Sequence, residues 1–307
     1  MSDLDGLYAA LPTPFNKDGS EIARDALHAL VARNFDAGLN GLYVGGSTGE
    51  AFLMSVGERE ILLKATAEAA NRRGTLIAHV GDLNPEVSAR LARFAANLGY
   101  HAISAVPPFF YRYNIDEVVS HYSWLSAQTD LPFLIYNFPN LSDVHWSVDD
   151  LMRILDIPQV VGVKNTCGDL YAFEMLRRKA PEKVLLHGFD ETLLAGLALG
   201  ADGGIGSTYN VQPERILSLV NAYKAGRIEE ARTIQREANE LIEQIIDVGV
   251  LPALKHLLTR LGIPMGTCRR PFKPLSPSNR DKLDAAAETY LLDTSNLMSQ
   301  VARGQNV

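Results

Sequence analysis

Eight times along this chain a short apolar run gives way to a turn and then to an amphipathic helical stretch, and that alternation constrains the fold more than any other feature. Strands separated by helices imply parallel pairing, since a helical crossover returns the chain to the same end of the sheet. The runs are Gly6 to Leu11, Gly41 to Val44, Leu76 to Val80, Ala102 to Val106, Leu131 to Tyr136, Val160 to Lys164, Lys183 to Leu186 and Gly203 to Ile205. The helical stretches carry their own punctuation. Leu27, Leu30, Val31 and Phe35 share a face closed by Gly38, Ser55 and Glu58 make a capping box, and Asn84 precedes Pro85 at a helix start. Asn114 to Gln128 is helical in pattern, Ser147 and Asp150 open the next helix, and Asp169 caps one ending in Arg177, Arg178 and Lys179, where cations suit the macrodipole. Eight such units favour a closed (β/α)8 TIM barrel over a doubly wound sheet. The sheet's dinucleotide fingerprint is missing, because Gly204-Ile205-Gly206-Ser207-Thr208-Tyr209 lacks a third glycine and does not follow the first strand.

From Pro213 the texture is helical only: Glu214 to Ala225, Ile228 to about Leu261, and Ser278 to the end, with a proline-rich linker from Pro264 to Pro277. The expected division is a catalytic barrel over residues 1–225 and a C-terminal helical region over 226–307, with Gly304 to Val307 frayed. A chain of 307 residues, 47% of them hydrophobic, has room for such a barrel and a large core. Its net charge of -7 argues against nucleic acids and anionic membranes as partners, which are recognised through basic patches. The chain lacks both a membrane-length apolar run and the layout of a signal peptide, so a cytoplasmic location is expected. Two cysteines and seven scattered histidines give no disulfide framework and no metal-ligand spacing, so neither metal nor cofactor is expected.

In a barrel, the residues that follow each strand meet on one rim. They include Ser47 and Thr48 after the second strand, Phe110 and Tyr111 after the fourth, Tyr136 at the fifth, Lys164 at the sixth, Asp190 and Glu191 after the seventh and Ser207 at the eighth. Lys164 ends a buried strand, where an ammonium is costly to desolvate; it is either paired with an anion or pushed toward its neutral, nucleophilic form. The turn Gly45-Gly46-Ser47-Thr48-Gly49 can aim successive N–H groups and two hydroxyls at a carboxylate or phosphate, or be an ordinary glycine-rich turn. It also fits the serine-hydrolase elbow, but that fold needs several strands upstream and only one precedes Ser47. Tyr136 is either a buried strand tyrosine or a proton carrier beside the lysine. Asp190 and Glu191 either cap the following helix or bind a polyhydroxylated ligand. Cys167 reads as a small, half-buried residue.

Five motifs in order carry a resemblance: Leu11-Pro12-Thr13-Pro14-Phe15, Gly45 to Glu50, Tyr136-Asn137-Phe138-Pro139, Lys164-Asn165-Thr166 and Gly203-Gly204-Ile205-Gly206-Ser207. From about Gly6 to Phe272 the chain resembles the superfamily of class I aldolases that holds dihydrodipicolinate synthase and N-acetylneuraminate lyase. The resemblance implies a barrel, usually a homotetramer, that works through a pyruvate Schiff base without metal. The lyase branch fits better: Gly168-Asp169-Leu170-Tyr171 and Gly188-Phe189-Asp190-Glu191 are close to its pattern. The synthase branch commonly has an arginine where this chain has Asn140-Leu141-Ser142. Carried over residue by residue, Lys164 forms the imine, Tyr136 moves a proton, and Ser47 and Thr48 hold the substrate carboxylate. Thr166, Gly188, Asp190, Glu191 and Ser207 contact the remaining hydroxyls. Tyr111 and Leu251 are accessory positions, since Phe110 stands where the lyases have a second tyrosine and Leu251 where an aromatic residue is usual. The implied reaction is reversible cleavage of N-acetylneuraminate to pyruvate and N-acetylmannosamine. The alternatives are aldolase or dehydratase action on another 2-oxo-3-deoxy sugar acid, a synthase-like pyruvate condensation, and a non-catalytic sugar-acid binder.

Overall fold

The structure, a computed structural model, describes residues 4–292. Eight strands close into a parallel barrel in sequence order, β1 (Gly6–Ala10), β2 (Gly41–Val44), β3 (Thr75–His79), β4 (Ala102–Ala105), β5 (Phe133–Asn137), β6 (Val160–Asn165), β7 (Val184–His187) and β8 (Gly203–Gly206). The closing ladder runs between β1 and β8, where Gly6 pairs with Gly203 and Ala9 with Gly206. Among the described residues, nine helices alternate with and follow these strands: α1 (Arg24–Asp36), α2 (Val56–Ala70), α3 (Pro85–Asn97), α4 (Ile115–Ser126), the single turn α5 (Pro139–Ser142), α6 (Val148–Leu155), α7 (Leu170–Lys179), α8 (Leu193–Ala198) and α9 (Pro213–Lys224). The capping boxes at Ser55 and Ser147, and the Asn84 and Asp169 caps, form as the sequence predicts; Asn114 makes a further box with Glu117. The single turn α5 has no strong sequence signal and was not expected.

Period-two alternation sorts the strand residues into two cores. Tyr8, Ala10, Tyr43, Ile77, Ala102, Leu134, Tyr136, Val184, Leu186 and Ile205 form one cluster and fill the barrel interior. Their neighbours, among them Ala9, Leu42, Ala78, Ile103, Ile135, Val163 and Leu185, join the helices in the other. Three further helices, α10 (Ile228–Val248), α11 (Val250–Arg260) and α12 (Pro277–Ala287), belong to that outer core through Ala238, Leu241, Leu254, Leu257 and Leu283, all fully buried. The continuous helix expected from Ile228 to Leu261 is in fact two. Pro252 offers no N–H to the carbonyl of Val248, so the ladder must break there, and Gly249 takes up the break at φ 110°, a region open to glycine. The expected helix from Ser278 is α12, followed by a π turn over Glu288–Leu292; the fraying expected at Gly304 to Val307 lies outside the described residues. Among the described residues no helix is long and apolar enough to cross a membrane.

Candidate active site

Lys164 sits one residue from the end of β6 with its inward neighbours fixed by register: Tyr136 beside it on β5 and Leu186 on β7. The same pleat that puts Tyr136 and Leu186 inside the barrel therefore puts the Lys164 side chain there. It is 4% exposed. Its Nζ lies 4.0 Å from the ring centre of Tyr136 and 4.2 Å from that of Tyr43, and among the described residues no carboxylate is within ion-pairing distance. Burial without a paired anion pushes the ammonium down to about 7, with the more distant Asp190 acting weakly in the opposite sense. Burial thus moves Lys164 toward the free amine. Of the two readings left by the sequence, pairing and neutralisation, the geometry offers no partner for pairing among the described residues.

Tyr136 is buried, and its phenol is pushed up to about 12 by that burial, while the hydroxyls of Ser47 and Thr166 facing it act in the opposite sense. The phenol thus faces both the turn after β2 and the end of β6. Thr166 Oγ1 itself makes no well-formed hydrogen bond, a buried polar atom left free at the mouth of the barrel. Gly188 lies directly against it: a Cβ there would come within 1.9 Å of Thr166 Oγ1. Gly188 therefore stands at the site for lack of a side chain, which leaves the Thr166 hydroxyl its place.

The turn from Gly45 to Glu50 is shaped from several sides. Gly45 has φ 71° and Glu50 φ 58°, and the N–H groups of Gly49 and Glu50 donate to the carbonyls of Gly46 and Ser47. Thr13 Oγ1 donates to the Gly49 carbonyl at 2.7 Å, which explains why a threonine stands between two prolines after β1. Among the described residues the N–H groups of Ser47 and Thr48 have no acceptor, and both side chains are half-buried. Two free N–H groups and two hydroxyls on one bend make a ready anion cradle.

His79 supports the same turn, a role its position in the sequence did not reveal. Its Nδ1 is 2.9 Å from the Gly45 carbonyl, and its Nε2 accepts the Val106 N–H at 3.3 Å, so the ring is neutral with the proton on Nδ1. Burial, reinforced by the nearby Arg59 guanidinium, holds its pKa well below the ordinary range. Arg59 in turn donates to the carbonyls of His79 and Gly81 and pairs with Asp82. Tyr43, also missed, donates its hydroxyl to Ser104 Oγ at 3.0 Å and offers its ring to Lys164.

On the opposite side, Asp190 is buried, and its Oδ2 accepts both the N–H and the hydroxyl of Thr208 at 2.7 and 2.6 Å. It caps the short turn after β8 (Thr208–Asn210) rather than its own helix, leaving the other oxygen over Gly206. Burial raises the Asp190 carboxyl to about 6, against the Thr208 hydrogen bonds. Gln235 and Asn239 of α10 donate to the carbonyls of Asp190 and Glu191. Glu191 is half-buried beside a groove of about 550 Å³ along α10 that includes Arg236 and Glu240. Ser207 is half-buried at the end of β8. The accessory positions are less central. Tyr111 is 67% exposed and stacks edge-on with Phe110 in a hollow of about 360 Å³ with Leu83, Pro108, Phe109 and Tyr113. Leu251 is half-buried in the first turn of α11.

The dihydrodipicolinate synthetase family matches residues 3–290 of the chain. A similar curated protein is the N-acetylneuraminate lyase of Rhizobium meliloti (strain 1021), 43% identical over 94% of this chain and 96% of that one. Among solved structures, CdNal from Clostridium difficile in complex with mannosamine superposes with a TM-score of 0.91 at 35% identity, covering 94% of this chain and 99% of that one. N-acetylneuraminate lyase from Fusobacterium nucleatum complexed with pyruvate gives 0.90 at 34% identity, over 94% and 98%.

Proposed function

This chain belongs to the dihydrodipicolinate synthetase family, and on that premise we propose that it is a carbon–carbon lyase that reversibly cleaves N-acetylneuraminate to pyruvate and N-acetylmannosamine through an imine on Lys164. The observation that carries the reading is the buried Lys164 amine, which among the described residues pairs with no carboxylate and is held beside a turn with free N–H groups. In the open-chain sugar acid the free amine attacks the 2-oxo carbon, and loss of water leaves an iminium that can accept the electrons of the C3–C4 bond. Ser47 and Thr48 hold the carboxylate next to C2. Tyr136, a protonated phenol at rest, accepts the C4 hydroxyl proton while passing its own toward the carboxylate held beside it. The aldehyde sugar leaves, Tyr136 hands a proton to C3 of the enamine and regains its own from the carboxylate, and water releases pyruvate. Thr166 and Ser207, with the free oxygen of Asp190 and the carboxylate of Glu191, contact the sugar hydroxyls across the space that Gly188 leaves open. Similar structures hold pyruvate in one case and mannosamine in another, compounds of the same two kinds as the proposed products.

Assembly as a homotetramer belongs to the same reading. Phe110 and Tyr111 expose 70% and 67% of their surface around an apolar hollow, and a contiguous exposed apolar patch is a common mark of an interaction surface. Light scattering of the purified chain tests this. The chemistry is tested by adding pyruvate and borohydride, then locating the adduct by mass spectrometry: it belongs on Lys164 and disappears in Lys164→Arg, whose guanidinium stays protonated. An adduct elsewhere, or none, rejects the imine. Comparing kcat/KM for N-acetylneuraminate with 2-oxo-3-deoxygluconate, and with pyruvate plus aspartate semialdehyde, tests the substrate; preference for either competitor rejects the lyase reading and leaves the imine standing.

A further inference from the structure

The last residue of the carboxylate-binding turn is tied to a helix that contributes no strand to the barrel. Glu50 has a fully buried side chain, and Lys255 of α11 places its Nζ 2.5 Å from Glu50 Oε1 with its own side chain 3% exposed. The second carboxylate oxygen accepts the Arg269 N–H at 2.7 Å, and Lys255 Nζ also donates to the Thr267 carbonyl at 3.2 Å. Phe15, which follows the Thr13 that locks Gly49, lies between the two cations: Lys255 Nζ is 4.4 Å and Arg269 Cζ 4.2 Å from its ring centre.

A buried ion pair is seldom the most stable way to fill a space, since apolar residues of similar volume often do as well or better. What the pair supplies is direction. Glu50 occupies the left-handed region at φ 58°, uncommon for a residue with a side chain, and such a conformation persists only where its surroundings enforce it. The Glu50 N–H donates to the Ser47 carbonyl at 3.1 Å, so a shift of Glu50 reaches Ser47 through a single hydrogen bond. Thr13 and His79 grip the turn at Gly49 and Gly45; the ion pair grips its exit.

We propose that Lys255, acting through Glu50, is a positioning residue that holds the Ser47–Thr48 turn in its carboxylate-accepting shape and thereby sets affinity for the 2-oxo acid half of the substrate. This rests on the reading of Lys164 and the turn given above. Leu251, one helical turn before Lys255, begins the same helix, so α11 reaches both the turn and the rim.

The experiment compares the parent with Lys255→Met, with Lys255→Arg, and with the apolar pair Glu50→Leu/Lys255→Met. Two quantities are read: thermal unfolding, and the pyruvate concentration that half-saturates borohydride trapping on Lys164. Lys255→Met is expected to melt at lower temperature, because it leaves a buried carboxylate unpaired, and the apolar pair to recover most of that loss. Half-saturation is nevertheless expected to rise about ten-fold or more in the apolar pair, since displacing a binding group by roughly 1 Å can cost about 10²-fold. The maximal adduct and its pH midpoint should stay as in the parent, which general loosening of the fold would not leave intact. Lys255→Arg, which keeps the charge, is expected to bring half-saturation back toward the parent. Half-saturation unchanged in the apolar pair overturns the proposal. Should that pair not fold, Lys255→Met decides at a temperature where it is folded, and unchanged half-saturation there overturns it equally. A parent that forms no adduct overturns the reading beneath it, a result that cannot be confused with the others.

Discussion

A lysine facing two tyrosine rings instead of a carboxylate makes a specific thermodynamic statement. Lys164 has a folded pKa of about 7 against an ordinary 10.5, so the unfolded chain binds more protons between these values and stability rises with pH across that window. The buried amine costs on the order of 3–5 kcal/mol below pH 7 and nothing above pH 10.5. Lys164→Met should therefore abolish activity yet unfold at a higher temperature than the parent at pH 6, with the gap narrowing by pH 9; thermal melts at the two pH values check this. Tyr136→Phe should keep the borohydride-trapped imine and lose about 10²- to 10⁴-fold in kcat, the usual contribution of a positioned acid–base group. Lys164 and the glycine-rich turn were legible in the sequence because both violate a local expectation, a charge ending an apolar run and glycines bunched after a strand. Tyr43 and His79 violate none. An inward tyrosine looks like core and a lone histidine looks incidental until strand register brings Tyr43 under the amine and His79 against Gly45. Asp190 was legible as polar and rim-placed, but its partner Thr208 is a contact across two strands that spacing along the chain does not encode.

At the scale of elements, the caps made the reading easy. Ser55, Asn84, Ser147 and Asp169 each accept a backbone N–H at the helix start they announce. The break at Gly249 was harder, because the apolar spacing continues across it in register with α10; only Pro252 carried the signal. That break has its own test. With φ at 110°, Gly249→Ala forces a side chain into a backbone region it rarely adopts, and the expected loss is about 1–3 kcal/mol, read from denaturant unfolding. Since α11 begins at that hinge and carries Leu251 in its first turn, KM for the sugar acid should rise as well, while trapping by pyruvate alone changes little.

For the molecule as a whole, the change of texture near residue 225 is real in the sequence and absent from the core. Ala231, Leu241, Ile245, Leu254 and Leu257 lie in the same apolar cluster as the barrel's outer face, and Arg269 reaches Glu58, the carbonyls of Leu53 and Gly19, and Glu50. A chain ending at residue 225 would expose that face, with each large aliphatic side chain losing about 1.5–3 kcal/mol of burial. It should fail to fold, seen as loss of cooperative unfolding by circular dichroism, even though all eight strands are present. The closed barrel has one more consequence. Tyr136 and Lys164 are register partners on adjacent strands, so the backbones that carry the proposed nucleophile and proton carrier are held about 4.8 Å apart by peptide hydrogen bonds. Asp190, Glu191 and Ser207, proposed to contact the sugar, lie beyond the strand ends, where no such gauge holds. The chemistry behaves as a fixed tool and the loops as interchangeable jigs: recutting the loops after β4, β7 and β8 should redirect this chain to other aldehydes while the pyruvate half of the reaction runs on unaltered.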